Sequence, residues 1–202
     1  MNKRDQVKKR IGKGAMHCFE KFGLDKTTLE DIAQTVGLNK ASLYYYYKNK
    51  EDIFIETALR EGEDYILALQ EKVQLKKGIE NQVAYYMQAR FNYYKKVLNM
   101  NRVSTDTLNK ILPRFFELYD ALMNREKQFL AGMINNAMET GVLKRTSPVQ
   151  IASVLINISD ALKHSVEQKA ILMRAPEVDY TQSLQDMKRM ISLVFQGLKE
   201  QE

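Results

Sequence analysis

Apolar residues recur along this chain at intervals of three and four residues, and a strand-like alternation is sustained nowhere. The first stripe predicts a helix over residues 4–22 and consists of Val7, Ile11, Ala15, Cys18, Phe19 and Phe22. Similar patterns predict longer helices at 79–99, 113–140, 148–172 and 181–199, with a short helix within 100–112. Since only three prolines and nine glycines interrupt them, these patterns predict an all-α fold of about nine helices.

Between residues 27 and 54 the predicted helices are short and the turns tight. Thr27 with Glu30, and Thr28 with Asp31, both have the spacing of a capping box that opens a helix. Gly37 then supplies the positive φ angle that a tight turn between two helices requires. Two short helices joined in this way indicate a helix-turn-helix, whose second helix lies in the major groove of DNA.

The second short helix carries residues suited to a DNA groove. Asn39 is placed to cap it, and Leu43 and Tyr47 are predicted to point inward. Four consecutive tyrosines cannot all be buried on one helix, so we keep the interpretation of ordinary core packing for Tyr47 alone. The outer residues can reach base edges or bond phosphates, and they are Lys40, Ala41, Ser42, Tyr44, Tyr45 and Tyr46.

The positive charge is concentrated in the same part of the chain. Residues 1–50 hold 11 Lys and Arg against 5 Asp and Glu, which accounts for the entire net charge of +6. Lys50 stands in the first turn of a fourth helix, where free N–H groups favour an anion, and is predicted to bind a phosphate. A polybasic segment on a membrane surface is the competing interpretation; the turns and tyrosines favour DNA. No apolar run approaches the length of a membrane span.

Several positions in this region form an ordered pattern with characteristic gaps: Ala15, Phe19, Phe22–Gly23, Thr27–Thr28, Ile32–Ala33, Gly37 and the block from Lys40 to Ile53. With them the segment from about Ile11 to Phe54 resembles the TetR-type bacterial transcriptional regulators. Tyr46 and Tyr47 depart from the family pattern, in which histidine and phenylalanine are common at these positions.

The resemblance implies a homodimer with a DNA-binding head at 1–50 and a helical ligand-binding and dimerisation body at 51–202. It adds Thr28 and Asn39 to the expected DNA contacts. The last two helices would form a four-helix bundle with a partner, and they do carry two apolar stripes. The expected interface residues are Ile151, Leu155, Ile158, Leu162, Leu184, Met187, Ile191 and Phe195. The alternative is that both stripes pack on the chain's own core.

The middle helices are rich in aromatic residues and methionine, which can line an adaptable apolar pocket. The residues expected there are Tyr86, Phe91, Tyr94, Phe115, Tyr119, Met123 and His164. Ordinary core packing is the alternative for each aromatic residue, and a solvated helix face is the alternative for His164. No metal-ligand spacing surrounds either histidine, so neither a metal nor a cofactor is predicted.

Together these observations predict a cytoplasmic, ligand-responsive regulator of transcription. The single cysteine, Cys18, fits a reducing compartment. We expect a repressor that binds a palindromic operator as a dimer and is released by a small, largely apolar molecule. The alternatives are a helical protein-interaction adaptor and an enzyme. The enzyme is disfavoured because the chain has only two histidines and no nucleophile with a plausible base. Salt-dependent binding to duplex DNA separates the first class from the others.

Overall fold

The computed structural model describes residues 2–199, apart from the side chain at position 121, and shows an all-α protein. The ends of the predicted domain ranges, residue 1 and residues 200–202, lie outside the described part. The helices are α1 Lys3–Phe22, α2 Leu29–Thr35, α3 Lys40–Tyr46, α4 Lys50–Val73, α5 Ile79–Met100, α6 Thr105–Glu139, α7 Pro148–Leu172 and α8 Thr181–Leu198. The predicted fold class is therefore confirmed.

One predicted boundary is wrong. The short helix expected within 100–112 and the helix expected from Pro113 form a single helix, α6, with Pro113 inside it. Proline lacks an N–H group, so the carbonyl of Asn109 loses its usual helical partner. Because Asn109 and Pro113 are both exposed, water can hydrate that carbonyl, and the helix continues past the proline.

The chain folds into two compact units that are discontinuous in sequence. The first comprises the residues up to Asp64 together with Tyr94–Leu118, and the second comprises Tyr65–Tyr93 together with the residues from Tyr119 onward. Each of α4, α5 and α6 therefore contributes residues to both units.

The core of the first unit forms where α1, α2, α3 and α4 meet. Ile11 and Phe19 of α1 are fully buried, and the ring of Phe19 meets that of Phe54 edge to face with centroids 5.9 Å apart. Phe22, predicted to continue the stripe, is instead 45% exposed, because it is the last residue of α1. Gly12 lies against Thr57 so closely that a β-carbon would clash with the threonine side chain. The α1 stripe thus packs on α4 as well as on the two short helices.

The second unit contains the packed pair α7 and α8. Its buried apolar residues include Leu155 and Ile156 of α7 and Phe195 of α8. The segment that follows α6 contacts the end of α8, where the N–H of Lys144 donates to the carbonyl of Leu198 over 2.8 Å. None of the described helices has the length and apolarity needed to span a membrane.

Candidate nucleic-acid interface

A capping box opens α2. The backbone N–H of Asp31 donates to the Thr28 hydroxyl over 3.2 Å, and the Asp31 carboxylate accepts the backbone N–H of Thr28 over 2.8 Å. Hydrogen bonds from Thr28 also lower the pKa of Asp31. Thr27, the other candidate, is buried, and its hydroxyl donates to the carbonyl of Gly23 over 2.8 Å. Only one of the two sequence candidates is therefore the cap.

The turn after α2 and the start of α3 are both fixed locally. Gly37 has a φ of +65°, and the N–H of Leu38 reaches back to the carbonyl of Ala33 over 2.9 Å. The side chain of Asn39 then caps α3 by accepting the N–H of Ser42 over 2.7 Å. These contacts set the direction in which α3 leaves the turn.

The side chains of α3 divide into an inner and an outer set. Leu43 and Tyr47 are buried, as predicted, whereas Tyr44 is 50% and Tyr45 is 71% exposed. Tyr46 is half-buried, and its ring meets that of Tyr45 edge to face at 5.1 Å. The helix thus presents an exposed aromatic face, flanked by the exposed Lys40, whose ammonium lies 3.5 Å from the Glu30 carboxylate. Ala41 is exposed and Ser42 half-buried.

Tyr47 anchors the end of α3 to α1 and α4. Its hydroxyl donates to Glu56 over 3.1 Å, and Glu56 also pairs with the ammonium of Lys8 at 2.8 Å. The same ammonium lies 4.8 Å from the centroid of the Tyr47 ring. Burial and the neighbouring Glu56 carboxylate raise the pKa of Tyr47, so its hydroxyl stays protonated. Position 47 is therefore a structural position here.

Lys50 occupies the first turn of α4, which Asn49 caps by accepting the N–H of Asp52 over 2.7 Å. The Lys50 ammonium donates to the carbonyls of Asp25 and Thr27, over 2.7 and 2.9 Å. An ammonium has three N–H donors, so one is left for a phosphate. The sequence did not indicate that Lys50 also ties the segment before α2 to α4.

One basic residue near the α3 face was missed by the sequence analysis. The guanidinium of Arg4, at the start of α1, lies over the ring of Tyr45, 5.8 Å from its centroid. These residues are 41 positions apart in sequence, so no local pattern connects them.

The residues predicted to line a ligand pocket lie in different surroundings. In the first unit, the rings of Tyr94 and Phe115 meet edge to face at 6.2 Å. In the second unit, Phe91 is buried against Tyr180 at 5.7 Å. Tyr86 is also buried, and its hydroxyl donates to Glu126 over 2.8 Å.

Tyr86 leads into a buried group of charged side chains, here called the Arg90 cluster: Arg90 of α5, Glu126 of α6, and Asp160 and Lys163 of α7. The Nε of Arg90 donates to both oxygens of Glu126 at 3.0 Å, and its Nη1 donates to Asp160 at 3.0 Å. Arg90 also donates to the hydroxyl of Tyr119 and, over 3.2 Å, to the sulfur of Met123. Two of the predicted ligand residues therefore surround an internal cation.

The electrostatics of the cluster favour the ionised form of Asp160. Burial opposes ionisation of Asp160, but attraction to Arg90 and Lys163 outweighs burial and lowers the pKa of this carboxyl well below its usual range. Glu126 is 1% exposed and Lys163 is 3% exposed. Charges buried to this degree are stable only when paired and hydrogen-bonded.

His164 does not lie on a solvated helix face. Its side chain is 15% exposed, and its Nδ1 lies 2.5 Å from a carboxylate oxygen of Glu167. Glu167 is fully buried and accepts the hydroxyl of Tyr180 over 2.7 Å. Burial raises the pKa of Glu167, but the hydrogen bond from His164 and the charge of Lys163 outweigh it, so the pKa is lowered. Among the described residues, no group of three His, Cys, Asp or Glu side chains is arranged to hold a metal.

The predicted dimer residues separate by burial. Leu155, Met187, Ile191 and Phe195 are at most 1% exposed and pack within their own chain. These four side chains therefore belong to the core of their own chain. Ile151, Leu162 and Leu184 are half-buried, and Ile158 is 39% exposed.

Comparison with known proteins adds independent information about the first unit. Residues 11–57 match the family model described as bacterial regulatory proteins, tetR family. Over 48 residues the chain is 48% identical to the biofilm operon icaADBC HTH-type negative transcriptional regulator IcaR of Staphylococcus epidermidis. The matched residues make up 24% of this chain and 26% of that protein. Over 45 residues it is 36% identical to the HTH-type transcriptional repressor AcnR of Corynebacterium jeikeium, and these residues make up 22% of this chain and 24% of that protein. The match thus spans about a quarter of each of these relatives.

A solved structure extends the comparison to the whole fold. A transcriptional regulator from Cytophaga hutchinsonii superposes with a TM-score of 0.73 and covers 94% of this chain and 97% of that one. The sequence identity is 21%, so this likeness concerns the fold alone.

Proposed function

Because residues 11–57 match the family model of the tetR bacterial regulatory proteins, we propose that the chain belongs to this family and is a DNA-binding regulator of transcription that acts in the cytoplasm. The observation that carries the proposal is the outer face of α3, where exposed tyrosines stand beside Lys40 on a helix capped at its start. An adaptor or an enzyme has no evident use for this face beside a basic segment. The sign of regulation follows the relatives named as repressors, so we propose a repressor.

The first experiment measures duplex binding. A duplex of about 30 base pairs, long enough for two half-sites one helical turn apart, is selected by the wild-type protein from a random library. The selected duplex should bind more tightly than random duplex, and both affinities should fall as salt is raised. Failure to select any duplex, or binding that ignores salt, would contradict the proposal and favour an adaptor.

Two variants then test the proposed contacts, which are Thr28, Asn39, Lys40, Ala41, Ser42, Tyr44, Tyr45, Tyr46 and Lys50. Lys50→Ala should weaken selected and random duplex by similar factors and lower the salt slope by about one per subunit. Tyr45→Ala should weaken mainly the selected duplex, by about 1–3 kcal/mol per half-site. If Tyr45→Ala has the same ratio of affinities for selected and random duplex as wild type, α3 is not the helix that reads the base sequence.

We further propose a two-fold dimer through α7 and α8, reading a palindromic operator. Away from the two ends of α7, where Val149 and Leu172 are also exposed, three large apolar side chains of α7 and α8 are exposed: Val154 at 46%, Ile158 at 39% and Leu193 at 61%. Val154 and Ile158 lie four residues apart and share one face of α7. A two-fold contact places the same patch on both sides, so these residues, with the half-buried Leu162 and Leu184, are the proposed interface.

We also propose that a small, largely apolar molecule binds the body at 51–202 and releases the head at 1–50 from DNA. The richness of α5 and α6 in aromatic residues and methionine supports a site of this kind, and α4 runs without a break from the first unit into the second. Such coupling is typically about 1–3 kcal/mol. Apolar and aromatic compounds can be screened by thermal shift. A compound that stabilises the protein but leaves its affinity for the selected duplex unchanged would count against the coupling.

A further inference from the structure

The first two turns of α1 direct two cations toward α3. Arg4 and Lys8 are four residues apart and therefore share one face of the helix. Lys8 lies over the ring of Tyr47, and Arg4 lies over the ring of Tyr45. The N-terminal end of α1 is thus held beside the helix that carries the proposed DNA contacts.

The two cations differ in their surroundings. Lys8 is half-buried and paired with Glu56 at 2.8 Å, so its charge is balanced within the protein. Arg4 is exposed, and none of the ion pairs among the described residues involves it. The ring beneath it, Tyr45, is the most exposed of the tyrosines on α3. Arg4 therefore presents a charge that the protein leaves available to a partner.

The chemistry of the guanidinium suits two contacts at once. Its planar face can lie on an aromatic ring while its N–H donors, which lie in the plane, point outward to a phosphate. A lysine ammonium can also meet a ring and an anion, as Lys8 does with Tyr47 and Glu56, but it is a point charge without a planar face to lie against the ring. Because Tyr45 points away from the buried Leu43, a duplex that meets Tyr45 also brings its backbone near Arg4.

We propose that Arg4 binds a backbone phosphate beside the bases that α3 contacts and, through its cation–π contact, positions the ring of Tyr45 for reading. The proposal rests on the proposed DNA-binding function. It assigns to the start of α1 a part in sequence preference, because a contact that holds Tyr45 in place affects the selected duplex more than random DNA.

The test compares Arg4→Ala and Arg4→Lys with Lys9→Ala as the matched control. Lys9 is an exposed cation of the same helix, and it lies about 140° around the helix from Arg4, on the side away from the core. Each protein is titrated with the selected duplex and with random duplex at several salt concentrations, after circular dichroism has confirmed unchanged helicity.

Arg4→Ala should weaken the selected duplex by about tenfold and lower the salt slope by about one per subunit. Arg4→Lys should keep the salt slope but lose part of the preference for the selected duplex. Lys9→Ala should change each affinity by less than about twofold. Equal effects of Arg4→Ala and Lys9→Ala would overturn the proposal, and they would leave DNA binding itself intact, which separates this failure from failure of the proposed function.

A double-mutant cycle tests the positioning role. In a Tyr45→Ala background there is no ring to hold, so Arg4→Ala should cost only about two- to threefold. If the losses of affinity caused by the two substitutions instead multiply in the double variant, Arg4 acts only on the phosphate, and the positioning part of the proposal is wrong.

Discussion

Replacing Arg90 with methionine would leave two buried carboxylates without their main partner. Glu126 would lose both hydrogen bonds from Nε and keep the hydroxyl of Tyr86. Asp160 would lose its bonds to the guanidinium and keep Lys163 at 3.2 Å. The variant therefore isolates the role of one buried cation.

The expected loss follows from the burial of the cluster. Removing one partner of a buried ion pair typically costs about 3–5 kcal/mol, because an uncompensated charge stays in the interior. Since Asp160 keeps Lys163, we expect a value near the lower limit, about 3 kcal/mol. This is a large share of the stability of an ordinary domain. A second substitution, Glu126→Leu, should recover much of it, because an apolar pair of similar volume replaces a buried ion pair at little cost.

The assay is urea unfolding followed by circular dichroism at fixed protomer concentration. Arg114→Met is the matched control, since Arg114 also pairs with a glutamate, Glu117, but on the surface, with 53% of its side chain exposed. Its midpoint should be nearly unchanged. If Arg90→Met unfolds at the same urea concentration as Arg114→Met, the Arg90 cluster does not stabilise the fold as argued here.

Acid provides a second measurement on the same cluster. The pKa of Asp160 is lowered in the folded protein, so its contribution to stability is present above its unfolded pKa, near 3.9, and is lost as pH falls below it. In Arg90→Met the Asp160 carboxyl loses the cation that contributes most to lowering its pKa, so it should take up a proton at higher pH, which relieves the cost of its buried charge. The difference in unfolding free energy between wild type and variant should therefore narrow as pH falls from 7 toward about 4. A difference that is independent of pH would contradict the ionised cluster.

Two further predictions concern the dimer and the contact between α1 and α4. The double variant Ile158→Glu, Leu193→Glu should sediment as a monomer. The control Leu75→Glu alters an apolar residue that is 83% exposed in the turn after α4, and it should sediment like wild type. A double variant that stays dimeric would show that the interface lies elsewhere. Gly12→Ala should lower the unfolding free energy, because overpacking of about 1–3 kcal/mol exceeds the helix gain of about 1 kcal/mol. In Gly132→Ala the new methyl group meets nothing within 4 Å, so the unfolding free energy should rise by up to about 1 kcal/mol. Equal changes in the unfolding free energy of Gly12→Ala and Gly132→Ala, measured in urea, would refute the close packing of Gly12 on Thr57.

Local signals explain why the first unit was the more predictable part. The cap at Thr28, the turn at Gly37 and the inward position of Leu43 each depend on residues within a few positions of one another, and all three are present in the structure. Pro113 misled the same reasoning, because a proline is also found inside a helix where the carbonyl that it leaves without a partner can be hydrated. Its exposure within α6 was not visible in the pattern.

The remaining features depend on contacts between distant parts of the chain. Arg90 meets Glu126 and Asp160 across 36 and 70 positions, and each residue alone is typical of a helix surface. The stripes of α7 and α8 likewise have two faces, and periodicity cannot tell which face packs on the chain's own core. For the same reason the contact of Arg4 with the ring of Tyr45 had no sequence signal.

The discontinuity of the first unit limits how this protein can be divided into fragments. A fragment that ends at Asp64 would lack Tyr94–Leu118, including Asn101, whose carbonyl accepts the N–H of Leu24 over 2.8 Å. It would also lack Thr107, whose hydroxyl bonds to Asp25 in the segment that leads into α2. A chimera that joins the residues up to Asp64 to part of another protein by a single crossover would therefore separate parts of one compact unit. Recombination that preserves the first unit has to carry both of its segments together, so single substitutions alter this unit with less disruption than exchange of a contiguous segment.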